Sequence, residues 1–328
     1  MLARIFSSPG LNPPADGLPT NMIGPSQFGA RKRVVVVGSG GRLGSALLPI
    51  YQQNFEVTGL ARADLDLGDV RRIHAVLDAL EFDYLILAAG MTAVDQCETS
   101  ERDCYAVNAE APGVIARICA AKGAHLTCFS TDFVFDGFAA GAYTEDDIPN
   151  PLSVYGSAKL EGERQVLAAD PAHLVVRLSW LYGCRRPAFP EWIIGQASQQ
   201  PALTLPSDKV ASPTCCEDII AYLQALLRYD VGRPNGGIVH LCNSGECSWQ
   251  EWGQACLDYA RAAGWQLASE RLGATRLAEV AGFLAMRPAR SVLSTAKFTA
   301  LTGIVPRPWR EALDDHLART LAMPANLR

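Results

Sequence analysis

Residues Arg33-Val34-Val35-Val36-Val37-Gly38 form an unbroken β-branched run that stops on a glycine. Valine is stiff about its first side-chain torsion and packs well on a pleated surface. Four in succession leave no polar face, so the strand must be covered on both sides, as in a parallel sheet. The next residues, Ser39-Gly40-Gly41-Arg42-Leu43-Gly44, complete a GxxGxxG spacing that starts at Gly38, with an extra glycine at Gly40. Glycines here let the backbone turn tightly and approach a pyrophosphate. The helix that follows offers free N–H groups and the positive end of its dipole. Strand, glycine turn and helix in this order predict a dinucleotide site on Gly38, Gly41, Arg42, Leu43 and Gly44.

The same rhythm continues along the chain. Apolar runs at 56–60, 84–89, 125–130, 173–181 and 238–242 read as further strands, with helical stretches at 100–122 and 155–169 between them. Alternating strand and helix predicts an α/β fold of the Rossmann type, a doubly wound parallel sheet. Pro49 falls inside the first expected helix, removes one bond to Ser45 and predicts a kink. After Tyr182 the rhythm loosens into a stretch rich in Pro, Gln and Ser. Amphipathic helices then follow at 249–263, with Ser248 as N-cap, and at 309–321. The expected organisation is a flexible, proline-punctuated extension over 1–30 and a dinucleotide-binding domain over 31–182. The domain also receives strands from about 205–242, and residues 183–328 form mainly a smaller C-terminal substrate-binding lobe.

Composition narrows the function. Of 328 residues, 49 % are apolar and 19 % charged, with a net charge of -5, and no basic run offers a phosphate backbone a partner. No stretch approaches the roughly 18 apolar residues that span a bilayer. The N-terminus has no apolar core of the secretory kind, so a cytoplasmic protein with reduced, buried thiols is expected. The ten cysteines contain no CxxC pair and the five histidines no ligand spacing, so no metal is expected.

An NAD site usually carries an acid at the end of the second strand, about 20 residues past the glycines. Here that place reads Thr58-Gly59-Leu60-Ala61-Arg62. Arg62 and Arg42 lie where a 2′-phosphate can be paired, and a guanidinium suits phosphate by charge and by fork geometry. This predicts NADP(H) in preference to NAD(H), with Asp66 and Leu67 bordering the adenine.

Tyr155-Gly156-Ser157-Ala158-Lys159 is a YxxxK motif opening a helix, and its spacing puts both side chains on one face. A phenol beside an ammonium is a better acid than a free one and can hand its proton to a carbonyl oxygen. Upstream, the strand at 125–130 ends in Ser130-Thr131-Asp132, at the sheet edge where ligands bind in such folds. Thr131, Tyr155 and Lys159 can therefore converge on one carbonyl.

The stretches FSTDFVFDG (129–137), YTEDDIPNPLSVYGSAKLEGE (143–163) and RLSWLYG (177–183) resemble the dTDP-4-dehydrorhamnose reductase family of extended short-chain reductases. TAVDQCE (92–98), YAVNAEAPG (105–113), VASPT (210–214), RPARSVL (287–293) and TGIVPRPWREAL (302–313) fit the same pattern. The resemblance implies NADPH-dependent reduction of the 4-keto group of a nucleotide-activated 4-keto-6-deoxysugar. It implies Thr131, Tyr155 and Lys159 as the catalytic triad, with Tyr155 and Lys159 also touching the cofactor. Ala88, Ala89, Gly90 and Thr92 would join Gly38, Gly41, Arg42 and Leu43 in lining the dinucleotide. Val94, Asp132, Phe133 and Trp180 would face the sugar. The partner implied is a nucleotide sugar, and a homodimer is compatible with all of this. Two departures touch sugar recognition: Phe133 stands where the family usually has tyrosine, and Phe189-Pro190 replaces an Asn-Phe pair. Two other readings share the superfamily. One is a non-catalytic NADP-binding regulatory subunit like the methionine adenosyltransferase beta subunit. The other is an epimerase or 4,6-dehydratase, although the dehydratase glutamate is absent after Asp132.

Overall fold

The computed structural model describes residues 31–184, 186–227 and 235–321; the extension expected over 1–30 lies outside them. The chain opens with β1 (Arg33–Val37), α1 (Arg42–Tyr51), β2 (Glu56–Leu60), α2 (Val70–Leu77) and β3 (Tyr84–Leu87). It continues through α3 (Val94–Thr99), α4 (Glu101–Tyr105), a π-helical turn (Ala106–Glu110), α5 (Ala111–Lys122) and β4 (His125–Thr131). Next come α6 (Val154–Ala169), β5 (Leu174–Leu178), β6 (Leu181–Tyr182), α7 (Phe189–Gln199), β7 (Leu203–Pro206), β8 (Val210–Ala211), β9 (Thr214–Cys215) and α8 (Cys216–Leu227). The chain then forms β10 (Gly237–His240), β11 (Cys247–Ser248), α9 (Trp249–Ala262), β12 (Leu272–Thr275), α10 (Ala296–Thr302) and α11 (Trp309–Thr320).

The main sheet has six parallel strands in the order β10-β5-β4-β3-β1-β2. The chain moves outward from β1 to β2, then returns to β3 on the other side of β1. That reversal opens a crevice at the carboxyl ends of β1 and β3, the place where such sheets bind ligands. The valines of β1 explain why both faces are covered. Val34 and Val36 pack with Leu43, Leu47 and Tyr51 of α1 and with Ile219 and Leu223 of α8. Val35 and Val37 pack with Ile73 and Leu77 of α2 and with Ile115 and Ile118 of α5. Period two along a strand sends neighbours to opposite faces, and both faces here are dry.

Three local features qualify the sequence reading. The helix expected over 100–122 is interrupted by the π-helical turn, directly before Pro112. A proline has no N–H to continue the ladder, and the widened turn absorbs the break. Helix α1 runs on through Pro49 to Tyr51. The strand expected over 173–181 is two strands: β5 ends at Leu178, Trp180 adopts φ +42°, and β6 leaves the main sheet to pair with β9. Positive φ is uncommon for a bulky residue and marks imposed strain.

A separate core under α7, α9 and α11 contains Ile193, Leu205, Trp252, Leu257, Leu313 and Leu317. Helix α9 begins in a capping box, with Ser248 Oγ accepting from Glu251 N and Glu251 accepting from Ser248 N. Among the described residues no helix is long and apolar enough to cross a membrane.

Candidate active site

The glycine turn after β1 is built for close approach. Gly38 has φ +87°, and a side chain there would meet Ala89 at 2.8 Å. The N–H groups of Gly38 and Ser39 both donate to Leu60 O, at 2.8 and 3.1 Å, closing the turn against the end of β2. A Cβ at Gly44 would fall 2.2 Å from Gly38 O, so α1 can start only this close to the turn because Gly44 has none. No side chain caps α1, which leaves its first N–H groups for a ligand.

Beyond β3, Ala88, Ala89, Gly90 and Thr92 form the neighbouring wall. Their path is held by buried Asn108 from the π-helical turn: its Oδ1 accepts from Met91 N at 3.0 Å and its Nδ2 donates to Met91 O at 2.9 Å. Asn108 is a site-shaping residue that the sequence reading missed. A polar residue on a buried helix face was the signal available.

Arg42 and Arg62 stand differently. Arg62 is exposed just beyond β2. The guanidinium of Arg42 is committed to three carbonyls, donating to Gly183 O (2.8 Å), Arg186 O (2.6 Å) and Pro187 O (2.8 Å). Arg186 in turn donates to Gly40 O. These bonds tie residues 183, 186 and 187 to the glycine turn. Asp66 Oδ1 accepts from Gly68 N at 3.0 Å, shaping the turn that buries Leu67.

At the carboxyl end of β4, Thr131, Tyr155 and Lys159 come together and all three are buried. Helix α6 is fixed at its start by Ser153, whose Oγ accepts from Gly156 N, and by Glu98, which accepts from Val154 N at 2.9 Å. Gly156 lets α6 press on the end of β4, since a Cβ there would lie 2.3 Å from Phe133 O. Tyr155 is hydrogen-bonded to Thr131 and meets the Phe133 ring edge-on at 5.7 Å. Burial pushes the Tyr155 phenol well above its ordinary range, with Asp132, Cys97 and Cys104 adding to it and the bond to Thr131 opposing it. Lys159 Nζ donates to Phe129 O at 2.6 Å. In this arrangement the phenol is held protonated, the form in which it can donate.

Asp132 is buried and accepts from Thr131 Oγ1 at 3.2 Å and from Ser291 Oγ at 2.5 Å. Phe133 lies between Tyr155 and Lys209, whose Nζ sits 5.4 Å from its ring centre. Trp180 stacks on Trp252 at 5.5 Å, against the core under α7, α9 and α11, and stays partly accessible. Val94 opens α3, and the next residue, Asp95, pairs with Arg287 at 2.7 Å, tying the segment before β-paired Arg290 to this wall. Pro190, the second departure in the sequence, lies in the first turn of α7, and Phe189 stacks on Trp252 at 4.2 Å. Among the described residues no cluster of His, Cys, Asp or Glu is placed to hold a metal ion.

The family model described as RmlD substrate binding domain matches residues 32–322. A dTDP-4-dehydrorhamnose reductase of Aggregatibacter actinomycetemcomitans is 32 % identical over 287 residues, 86 % of this chain and 97 % of that protein. One of Mycobacterium tuberculosis (strain ATCC 25618 / H37Rv) is 35 % identical over 311 residues, 91 % of this chain and 95 % of its own. The solved dTDP-4-dehydrorhamnose reductase of Bacillus anthracis, in complex with NADP, superposes with a TM-score of 0.79 at 26 % identity. That likeness covers 88 % of this chain and 100 % of that one.

Proposed function

We propose, given that this chain belongs to the RmlD substrate-binding-domain family together with curated dTDP-4-dehydrorhamnose reductases, that it reduces the 4-keto group of a nucleotide-activated 4-keto-6-deoxysugar. The protein is an NADP-dependent oxidoreductase on a Rossmann-type fold. One observation carries the reading of the site. Tyr155, hydrogen-bonded to Thr131 at the end of β4, faces the same sheet edge as the glycine cradle after β1, with only β3 between. Two strand spacings separate them, about 10 Å, a span that an extended dinucleotide crosses readily.

The residues present fit that group: the positive φ of Gly38 and the space at Gly41 and Gly44 make a cradle that any Cβ would fill. Gly38, Gly41, Arg42, Leu43 and Gly44 would hold the phosphates, and Ala88, Ala89, Gly90 and Thr92 the middle of the molecule. Arg62, Asp66 and Leu67 would take the adenosine end, and Tyr155 and Lys159 the nicotinamide ribose. When bound, the dinucleotide supplies the hydride. Tyr155 Oη delivers a proton to the sugar carbonyl oxygen as charge develops there, and Thr131 Oγ1 orients that phenol. Lys159 supplies a fixed positive charge beside the nascent phenolate. Val94, Asp132, Phe133 and Trp180 would position the sugar. We place the protein in the cytoplasm, with a nucleotide sugar as partner, apart from nucleic acid, singly or as a homodimer.

The test is incubation with NADPH and a panel of nucleotide 4-keto-6-deoxysugars, following loss of reduced-nicotinamide absorbance and identifying the product by NMR. Reduction of one keto-sugar to its 4-hydroxy product is expected. Tight NADP binding with no turnover of any would contradict the reading.

A further inference from the structure

Lys209, just ahead of β8, is buried completely. Its carbonyl accepts from Trp249 N at 3.0 Å, and the next residue, Val210, donates to Ala289 O and accepts from Ser291 N, at 2.7 and 2.9 Å. Lys209 Nζ donates to Pro288 O at 2.5 Å and to Ser291 Oγ at 3.0 Å. It also lies 5.4 Å from the ring centre of Phe133 and 5.8 Å from that of Trp180. An ammonium is costly to bury unless charge and hydrogen bonds compensate, and an apolar side chain of the same length would fill the slot without that cost.

These contacts join three separate pieces of chain. Phe133 follows β4 and Trp180 follows β5, on neighbouring strands. Pro288 and Ser291 belong to a segment that runs against Gly137, where a Cβ would lie 2.7 Å from Ala289 N. Ser291 carries the link further: its hydroxyl accepts from Lys209 and donates to Asp132 Oδ2 at 2.5 Å. Asp132 Oδ1 accepts from Thr131 Oγ1 at 3.2 Å, so both carboxylate oxygens are taken. One residue before Pro288, Arg287 pairs with Asp95 at 2.7 Å, next in the chain to Val94. Asp132, Phe133 and Trp180, three of the four residues expected to face the sugar, are therefore gathered around one positive charge.

We propose that Lys209 is a positioning residue for sugar binding, whose ammonium clamps Asp132, Phe133, Trp180 and the 288–291 segment into one wall. The inference rests on the reductase reading. Two attractions act. The charge draws on the negative faces of the two rings, and it balances the Asp132 carboxylate across the Ser291 hydroxyl. Lys209 is closed off by these same groups, so it touches neither sugar nor cofactor. A wall that holds the sugar equally before and during reaction lowers KM and leaves kcat alone.

The clamp needs the charged amine. Burial pulls Lys209 down, Asp132 opposes that and Arg287 adds to it, leaving it at about 8. In return Lys209 opposes the rise that burial imposes on Asp132. Asp132 faces Lys209 from the end of β4, and Arg287 from the residue ahead of Pro288. Asp208, next in the chain, is exposed and accepts from Leu277 N at 2.7 Å. Arg290, within the segment, is paired with Glu246 at 2.7 Å. The clamp is complete below about pH 8 and is lost as pH rises through that value.

Steady-state kinetics of the full chain at pH 7 and pH 9, with NADPH saturating and a keto-sugar that the wild type reduces, test the clamp. Lys209→Met keeps the length and removes the charge. It is expected to raise KM for the sugar about 10-fold at pH 7, with kcat and NADPH affinity within about 2-fold of wild type. Wild-type KM is expected to rise toward that of the variant at pH 9, while the variant's KM stays level. A side chain that only fills space would not produce that difference. Should Lys209→Met not fold, the wild-type rise between pH 7 and pH 9 and a several-fold higher KM in Ser291→Ala decide. A wild-type KM that is level with pH, or an unchanged KM in Lys209→Met, would overturn the clamp and leave the reductase reading intact. A loss confined to kcat would overturn it too, by placing Lys209 in the chemical step. Wild type inactive on every keto-sugar would overturn both.

Discussion

Glu163 on α6 accepts two guanidinium bonds from Arg177 on β5, at 2.9 and 2.6 Å, and neither side chain reaches solvent. Arg177 also lies 3.3 Å from His240 Nε2 and 5.0 Å from the centre of the Phe135 ring. The pair joins the helix that carries Tyr155 and Lys159 to the sheet. Glu163→Gln or Arg177→Met strands the opposite charge in a dry place. Each is expected to cost about 3–5 kcal/mol of stability in urea unfolding. The double replacement Glu163→Leu/Arg177→Met should cost less than either single change, because no charge is left unpaired. Single variants within about 1 kcal/mol of wild type would show that the pair is not an anchor.

One half-buried and one fully buried histidine set the acid limit of the fold. Burial, then the neighbouring His173, pulls His125 down to about 4; burial, then Arg177, pulls His240 to about 3. Both are neutral in the folded chain at neutral pH. An unfolded histidine takes up its proton near 6.5. The unfolded state therefore binds more protons as pH falls from 6.5 toward 4, and stability falls with it. The melting temperature is expected to be level above pH 7 and to decline across that window. His125→Phe keeps a ring against Tyr84 and His173 and should flatten part of the decline. The same slope in wild type and variant would contradict the assignment to His125.

The two arginines near the cofactor should separate in binding titrations. Arg62 is exposed beyond β2 with its guanidinium available to a 2′-phosphate. Arg62→Ala is expected to weaken NADPH about 10-fold and leave NADH nearly unchanged, since charge-assisted bonds of this kind are worth about 1.5–3 kcal/mol. Arg42 ties residues 183, 186 and 187 across the glycine turn. Arg42→Ala should therefore weaken both cofactors, as a loss that does not depend on the phosphate. NADPH-only weakening from Arg42→Ala would mean that its guanidinium leaves those carbonyls when cofactor binds.

Local chemistry was legible in the sequence, and long-range convergence was not. The valine run, the glycine turn and the YxxxK helix each announce themselves within a few residues, because strand period, turn sterics and helix spacing are local rules. Ser248 and Glu251 mark the start of α9 in the same way. The positive φ of Trp180 goes against local preference and is set by its tertiary surroundings, whereas the π-helical turn follows from Pro112 itself, a local signal left unread. Asp132 and Ser291 stand 159 positions apart, and nothing near either one announces the bond between them. Lys209 gave one faint signal, a cation between Asp208 and the VASPT stretch. The expectation that a neighbouring ammonium makes Tyr155 a better acid missed the larger effect, burial, which works the other way.

The central claim is that Tyr155 Oη gives the proton in a reduction at a sugar carbonyl. Tyr155→Phe removes that oxygen and keeps the ring against Phe133. The most direct measurement is kcat for NADPH oxidation by this variant with the keto-sugar that the wild type reduces, alongside NADPH affinity and melting temperature. A fall in kcat of about 100-fold or more is expected, with affinity and melting temperature close to wild type. A variant that turns over at near wild-type kcat would contradict that claim.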